Sequence, residues 1–381
     1  MKRKLSFTLL LFFSFCILSS QVRIRLLTDI RLEYLLFSVT SGKYSAEDGS
    51  GTIINMKPGE NMILARYDGK IAVKVKGVAG FKTDSLFIRG LTGNDYFSLR
   101  SYNQESVKRN YSGDLKCFPD LETLLLINNC DIERYVAGVV EAEGGNGKNE
   151  EYFRTQAVIA RTYTYKYFNK HITDRFNLCD CPHCQAFNGI TTDSIINNAV
   201  AHTKNLVITT PDSNLIISAF HSNCGGETSP SEFVWVTGQP YLTRVIDPYC
   251  LSSRNATWKK MISLTEWSGF LKKNGYQSGS DDATLFNFKQ PSRVSDYVTG
   301  LFVLPLRIIR TGLGLRSSFF SVTAQGDSLL LTGRGYGHGV GLCQEGSMEM
   351  SVKGFSFKEI IDFYYPGVII IGVHDAKKSD D

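Results

Sequence analysis

No stretch beyond residue 20 is long and apolar enough to read as a membrane helix, and neither sign of charge is in strong excess. Lys and Arg number 42 against 37 Asp and Glu, a formal charge of +5 over 381 residues. That balance excludes the basic footprint of a nucleic-acid binder. No internal repeat is evident, which argues against a solenoid or propeller. Apolar residues at 43% and charged residues at 21% exclude a disordered, collagen-like or miniature disulfide-built chain. The length exceeds what one hydrophobic core usually holds, so two or more domains are expected.

What is present begins with a leader pattern. Lys2, Arg3 and Lys4 precede an apolar run from Leu9 to Leu18, then Ser19, Ser20 and Gln21. The run falls short of the roughly 20 residues a membrane helix needs. Residues 1–20 therefore read as a secretory signal cut near Ser20, with an uncleaved anchor as the alternative. A lipoprotein reading through Cys16 is weaker, because Ser14 and Phe15 are not the usual small pair. Cleavage takes the formal charge from +5 to +2. The expected location is periplasmic, cell-surface or secreted, where disulfides are permitted. Cys117, Cys130, Cys179, Cys181, Cys184, Cys224, Cys250 and Cys343 remain. Bridges between Cys117 and Cys130, or between Cys224 and Cys250, are open pairings.

The expected fold class is α+β. Residues 21–116 read as β-rich, with alternation in Val22–Leu26, Met62–Arg66 and Ile71–Val75 and turn signals at Asp48-Gly49, Pro58-Gly59 and Asp68-Gly69. From 117 to 370 the pattern is mixed. Ile132, Val136, Val139 and Val140 share one helix face, with Asp131 as N-cap and Gly144-Gly145 as stop. A second helix runs from near Asn149 to near His171. Strands are expected at Leu206–Thr209, Leu215–Phe220, Ser292–Ile309 and Ser328–Thr332. Further helices are expected at Leu264–Lys273, Gln344–Val352 and Phe357–Phe363. Residues 371–381 read as a loose polar tail.

Among residues able to do chemistry, Glu143 stands out. It ends an apolar-faced helix just before Gly144-Gly145, where partial desolvation raises a carboxyl pKa and suits it to general-acid work. The bland alternative is a solvated surface glutamate. Glu141 lies about 200° around the helix, which argues against a dyad. Cys179, Cys181, His183 and Cys184, with His171 upstream, offer the thiolate and imidazole donors that zinc prefers. A bridge within the cluster or free thiols is the competing reading. If zinc binds, a structural clamp is favoured over a catalytic metal. His221 and Ser222 follow an apolar strand, as an active-site rim or a plain turn. Gly333–Gly339 lacks the Lys-Ser/Thr of a phosphate loop. Its alternation is expected to put Arg334, Tyr336 and His338 on one face of an extended strand, able to stack on a sugar.

The chain resembles the SpoIID/LytB family over roughly residues 110–370. The matching segments occur in the family's order. They are Tyr135-Val-Ala-Gly-Val-Val-Glu-Ala-Glu143, Thr155-Gln-Ala-Val-Ile-Ala-Arg-Thr-Tyr163, Cys184-Gln-Ala-Phe187, Phe220-His-Ser-Asn-Cys-Gly-Gly226, Gly333-Arg-Gly-Tyr-Gly-His-Gly-Val-Gly341 and Phe363-Tyr-Tyr-Pro-Gly367. The resemblance implies a peptidoglycan-directed protein. One branch consists of lytic transglycosylases that cut glycan strands between N-acetylmuramic acid and N-acetylglucosamine, leaving 1,6-anhydro ends. The other enhances a cell-wall amidase. The family's catalytic glutamate falls on Glu143, although Glu141-Ala142 replaces the family's Pro-Ser. Its zinc ligands, one His and two Cys, fall on Cys184, Cys179 and His171, with Cys181 and His183 competing. Substrate positioning is assigned to Arg161, His221, Ser222, Tyr336 and His338. The expected partners are glycan strands or a cell-wall amidase, not nucleic acid.

Overall fold

The computed structural model describes residues 21–101, 107–145, 149–235, 237–277 and 282–377. The expected signal peptide lies outside them. The architecture is α+β, with a strand-rich first third and helices from residue 132 onward.

Alternating sequence builds two sheets over the first third. One has seven strands, in spatial order 178–179, Gln21–Leu26, Leu124–Asp131, Asp114–Pro119, Leu86–Gly90, Tyr44–Asp48 and Ile53–Met56. The other has six, in the order Lys108–Ser112, Tyr96–Ser101, Tyr34–Ser41, Asn61–Tyr67, Lys70–Val75 and Phe81–Thr83. Val22, Ile24 and Leu26 point inward while their neighbours face out, as the period of a strand requires. Phe37 of the second sheet stacks on Phe97 at 5.1 Å and meets Tyr44 of the first edge-on at 5.6 Å. The sheets therefore share one core. The expected boundary at 116/117 falls inside a strand, and Gln21–Leu26 pairs with both Leu124–Asp131 and residues 178–179.

Helix α1 (Ile132–Glu143) leaves the strand Leu124–Asp131 directly. The Asp131 carboxylate caps it by accepting from the N–H groups of Glu133 and Arg134. Helix α2 (Glu150–Lys166) is capped by Asn149. It is the wall between two cores: Phe153, Ala157 and Ala160 face the sandwich, while Val158 and Ile159 face a second core with Ile208, Leu342 and Ile360. Helix α3 (Ser194–His202), capped by Asp193, was not expected.

A third core lies between residues 258 and 331, around Trp258, Trp267, Tyr297 and Phe320. Helix α4 (Leu264–Lys273) sits there as expected. The strand expected at Ser292–Ile309 is instead a hairpin, Asp296–Thr299 with Phe302–Pro305, followed by helix α5 (Leu306–Gly312). Gly300 at φ +56° makes the turn, and Pro305 ends the hairpin and leads into α5. Helices α6 (Gln344–Val352) and α7 (Phe357–Tyr364) close the second core. Of the strand expected at Leu215–Phe220, only the ends pair. The segment expected to be loose after residue 370 is held through Lys377, whose N–H donates to the Ser213 carbonyl at 2.9 Å.

Candidate active site and its cysteine-rich neighbour

Glu143 is the last residue of α1 and is half-buried. Its Oε1 accepts from the Ala186 N–H at 2.7 Å. Burial pushes the carboxyl above its ordinary value of 4.5, and the Ala186 bond offsets this only in part. Oε2 meets no donor among the described residues. The Gln344 amide at the start of α6 donates to the Glu143 carbonyl at 2.7 Å, and the Tyr152 hydroxyl of α2 donates to the Gly144 carbonyl at 2.6 Å. Three elements thus hold this helix end.

The loop carrying Ala186 is itself fixed by Phe187, whose ring centroid lies 5.0 Å from that of Tyr135 and 6.0 Å from that of Tyr111. A Cβ on Gly138 would fall 2.1 Å from the Gly189 carbonyl oxygen and 2.5 Å from the Phe187 ring. Glycine in mid-helix is what lets this loop cross α1. Glu141 is exposed and accepts from the Thr191 hydroxyl at 2.7 Å, so it is no partner to Glu143. Burial does most to raise the Tyr163 pKa, followed by the neighbouring Cys184, Tyr167 and Cys179, with the Glu143 charge adding least. The Tyr163 ring centroid is 4.6 Å from that of Tyr167. Tyr163, Tyr167 and Gln344 are site candidates that sequence reasoning did not single out. The i, i+4 tyrosine pair on α2 was the available signal.

Phe220–His221 pairs in parallel with Leu342–Cys343, which sets His221 and Ser222 beside the residue preceding Gln344. His221 is 4% exposed. Its Nδ1 donates to the Val340 carbonyl at 3.1 Å, and its Nε2 lone pair is buried with no partner. Burial holds this imidazole well below its ordinary pKa. His338 lies 5.6 Å away and Trp235 stands 5.9 Å beyond it. Burial, then the Arg310 charge, lowers the His338 pKa to about 4. Ser222 is half-buried, and its carbonyl accepts the Glu345 N–H.

Two expectations need correction. Arg161 cannot touch substrate: it is fully buried, pairs with Glu133 through both carboxylate oxygens and donates to the Leu206 carbonyl. Nor do Arg334, Tyr336 and His338 share one strand face. Gly335, Gly337 and Gly339 adopt φ of +78°, +110° and +84°, so the backbone coils instead of extending. Arg334 lies over Phe319 at 3.7 Å and donates to the Gln290 and Pro291 carbonyls. His338 turns inward. Tyr336 alone of the three is exposed, at 47%, with the Arg316 guanidinium 5.9 Å from its ring.

Next to the Ala186 loop, His171, Cys179, His183 and Cys184 converge so that one donor atom of each lies within 4.8 Å of the others. Cys184 Sγ is 3.5 Å from His171 Nε2, and Cys179 Sγ is 3.7 Å from His183 Nδ1. Two thiols and two imidazoles at this spacing fit a tetrahedral zinc shell. Cys181 is 3.4 Å from Cys179 but outside that quartet. The described cysteines are all free. Cys117 and Cys130 stand four register positions apart on adjacent strands, about 13 Å, too far for a bridge.

The molecule is a mixed α+β protein with a half-buried carboxyl, Glu143, held between a cysteine-histidine loop and the start of α6. The family model described as stage II sporulation protein matches residues 121–210, which contain α1, Glu143, α2 and the cysteine-histidine cluster. The chain is 30% identical over 264 residues to the stage II sporulation protein D of Bacillus amyloliquefaciens, covering 64% of this chain and 75% of that one. It is 27% identical over 367 residues to an uncharacterized protein of Brachyspira hyodysenteriae, covering 93% and 94% of the two chains. It is 27% identical over 286 residues to the amidase enhancer of Bacillus subtilis, covering 61% of this chain and 40% of that protein. The chain belongs to the SpoIID/LytB family, and its function is cell-wall related.

Proposed function

We propose that the protein is an exported lytic transglycosylase acting on peptidoglycan glycan strands. The observation that carries this reading is Glu143: a half-buried carboxyl whose pKa burial raises and which presents one oxygen without a described partner. The protonated carboxyl gives its proton to the glycosidic oxygen as the bond to C1 of the muramic residue breaks. The carboxylate then takes the proton of that residue's C6 hydroxyl as the hydroxyl oxygen bonds to C1, closing a 1,6-anhydro ring. No water attacks, so the second carboxylate of ordinary glycosidases is not needed. Tyr163, Tyr167 and Tyr336 offer aromatic faces for sugar rings, and Ser222 offers a hydroxyl at the rim. His221 and His338 shape the wall behind them.

His171, Cys179, His183 and Cys184 would hold a structural zinc, which clamps the loop whose Ala186 N–H fixes Glu143. No described helix is long and apolar enough to cross a membrane. The amidase enhancer among the relatives supports a second reading, a wall-binding activator of an amidase. Purified protein incubated with denuded glycan strands separates the two. Anhydro-ended products should form, and Glu143→Gln should slow them by about 10²–10⁴-fold. If no anhydro product forms but an added amidase is stimulated, and Glu143→Gln stimulates equally, the enhancer reading holds.

A further inference from the structure

The second core contains a group of polar side chains that the glycan chemistry does not use. Cys224 follows the Phe220–His221 strand, Asp247 and Cys250 come from one loop, and Cys343 caps α6. All four are completely buried. One donor atom of each lies within 4.8 Å of the others. Cys224 Sγ stands 3.3 Å from Cys250 Sγ and 3.1 Å from Asp247 Oδ2.

We propose that Cys224, Asp247, Cys250 and Cys343 form a closed tetrahedral site for a thiophilic divalent ion such as Zn²⁺. Zinc sits about 2.3 Å from sulfur and about 2.0 Å from oxygen, so a tetrahedral shell has edges of about 3.8 Å and 3.5 Å. The observed spacings need an outward shift of a few tenths of an ångström per donor. A disulfide is a poorer account of the group, because three thiols leave one over and the carboxylate unexplained. A carboxylate among three thiols in an apolar core is costly even when hydrogen-bonded, whereas a cation at their centre offsets that cost.

The surroundings are those of ligands held in place. Tyr364 donates its hydroxyl to Asp247 Oδ2 at 2.9 Å, and the Tyr249 N–H donates to Oδ1 at 2.9 Å. The N–H groups of Cys224 and Gly346 point at Cys343 Sγ from 3.3 Å and 3.4 Å, an arrangement that favours thiolate. A Cβ on Gly346 would fall 2.2 Å from the Tyr364 hydroxyl and 2.4 Å from Asp247 Oδ2, so the residue beside the carboxylate has to be small. Three thiolates and a carboxylate around a divalent ion leave a net negative charge. The Arg293 guanidinium, 2% exposed, reaches the Cys224 carbonyl at 2.8 Å and balances it.

With four protein donors and no solvent access, such an ion is structural rather than catalytic. It ties Cys224, two residues after Ser222, to Cys343, which immediately precedes the Gln344 that bonds the Glu143 carbonyl. The ion would lock the two segments that flank the acid. This inference does not depend on the glycan reading, because its readout is metal.

The test is metal content and thiol state of the full chain, purified without chelator. Mass spectrometry for metals is compared across wild type, Cys343→Ser, Asp247→Asn and Cys184→Ser. Cys343→Ser and Asp247→Asn should each lose one ion per chain that Cys184→Ser retains. With cobalt replacing zinc, the wild type should show an intense thiolate-to-metal charge-transfer band that Cys343→Ser weakens. Should the variants fail to fold, the wild type alone decides. Its Cys224, Cys250 and Cys343 thiols should resist alkylation until a chelator is added. A native Cys224–Cys250 disulfide, seen as an intact mass lower by two hydrogens, overturns the proposal. So does a metal content that neither variant changes.

Discussion

Burial makes the charged form of Glu143 costly, so its proton is held to higher pH than on an exposed glutamate. Two consequences carry opposite benefits. General-acid activity needs the proton, so turnover should fall as pH rises through the elevated pKa. Stability follows the same group: its favourable contribution is complete below the ordinary value of 4.5 and is lost as pH rises through the raised one. Glu143→Gln removes that loss. Its melting temperature should match wild type in acid and exceed it at neutral pH; parallel melting curves across that range would contradict the burial argument. Arg161 is the opposite kind of residue. Its guanidinium is fully buried against Glu133, and breaking a buried pair leaves an uncompensated charge. Arg161→Ala should cost about 3–5 kcal/mol in denaturant unfolding. Its effect on activity should disappear under conditions where the variant is folded.

At the scale of elements, the loop from Cys179 to Gly189 couples the cysteine-histidine cluster to the acid. Ala186 is only two residues beyond Cys184, and Phe187 locks the loop onto α1. Removing one donor from the cluster should release the Ala186 N–H before it unfolds anything. If the cluster binds zinc as proposed, His171→Ala is expected to lose that ion and to reduce glycan cleavage by tenfold or more, about the cost of misplacing a catalytic group by an ångström. Circular dichroism should remain near wild type; full activity in a metal-free variant would break the link. Legibility follows the same lines. Asp131 and Asn149 announced α1 and α2, because a capping side chain and an apolar face are local signals. The half-buried place of Glu143 at the end of α1 was legible for the same reason. The glycine-rich segment misled because alternation suggests a strand, whereas its glycines take positive φ. Arg161 misled because a motif match gives no burial. The Cys224 group was invisible as a site, since its members are scattered over more than a hundred residues and meet only in the fold.

For the whole molecule, the first third is not an appendage to the region that carries Glu143. Leu124, Leu126, Ile132, Tyr135, Val136 and Leu178 share one core with Val22, Ile24, Phe37, Phe97 and Tyr111. The rings of Phe97, Tyr111, Phe187 and Tyr135 follow one another from the second sheet to α1 at 5.6, 6.0 and 5.0 Å. Gln21–Leu26 also fills the gap between two strands that lie later in the chain. A chain beginning at Cys117 would leave those side chains in water, at about 1.5–3 kcal/mol for each large one. That loss is comparable to the total stability of an ordinary domain, about 5–15 kcal/mol. Such a chain should show no cooperative melting transition and no glycan cleavage, although it retains Glu143 and both cysteine groups. Adding residues 21–116 as a separate polypeptide should restore a transition if the two parts associate through the shared sheet. A cooperative melt by the shortened chain alone would mean that the sandwich is dispensable to the site.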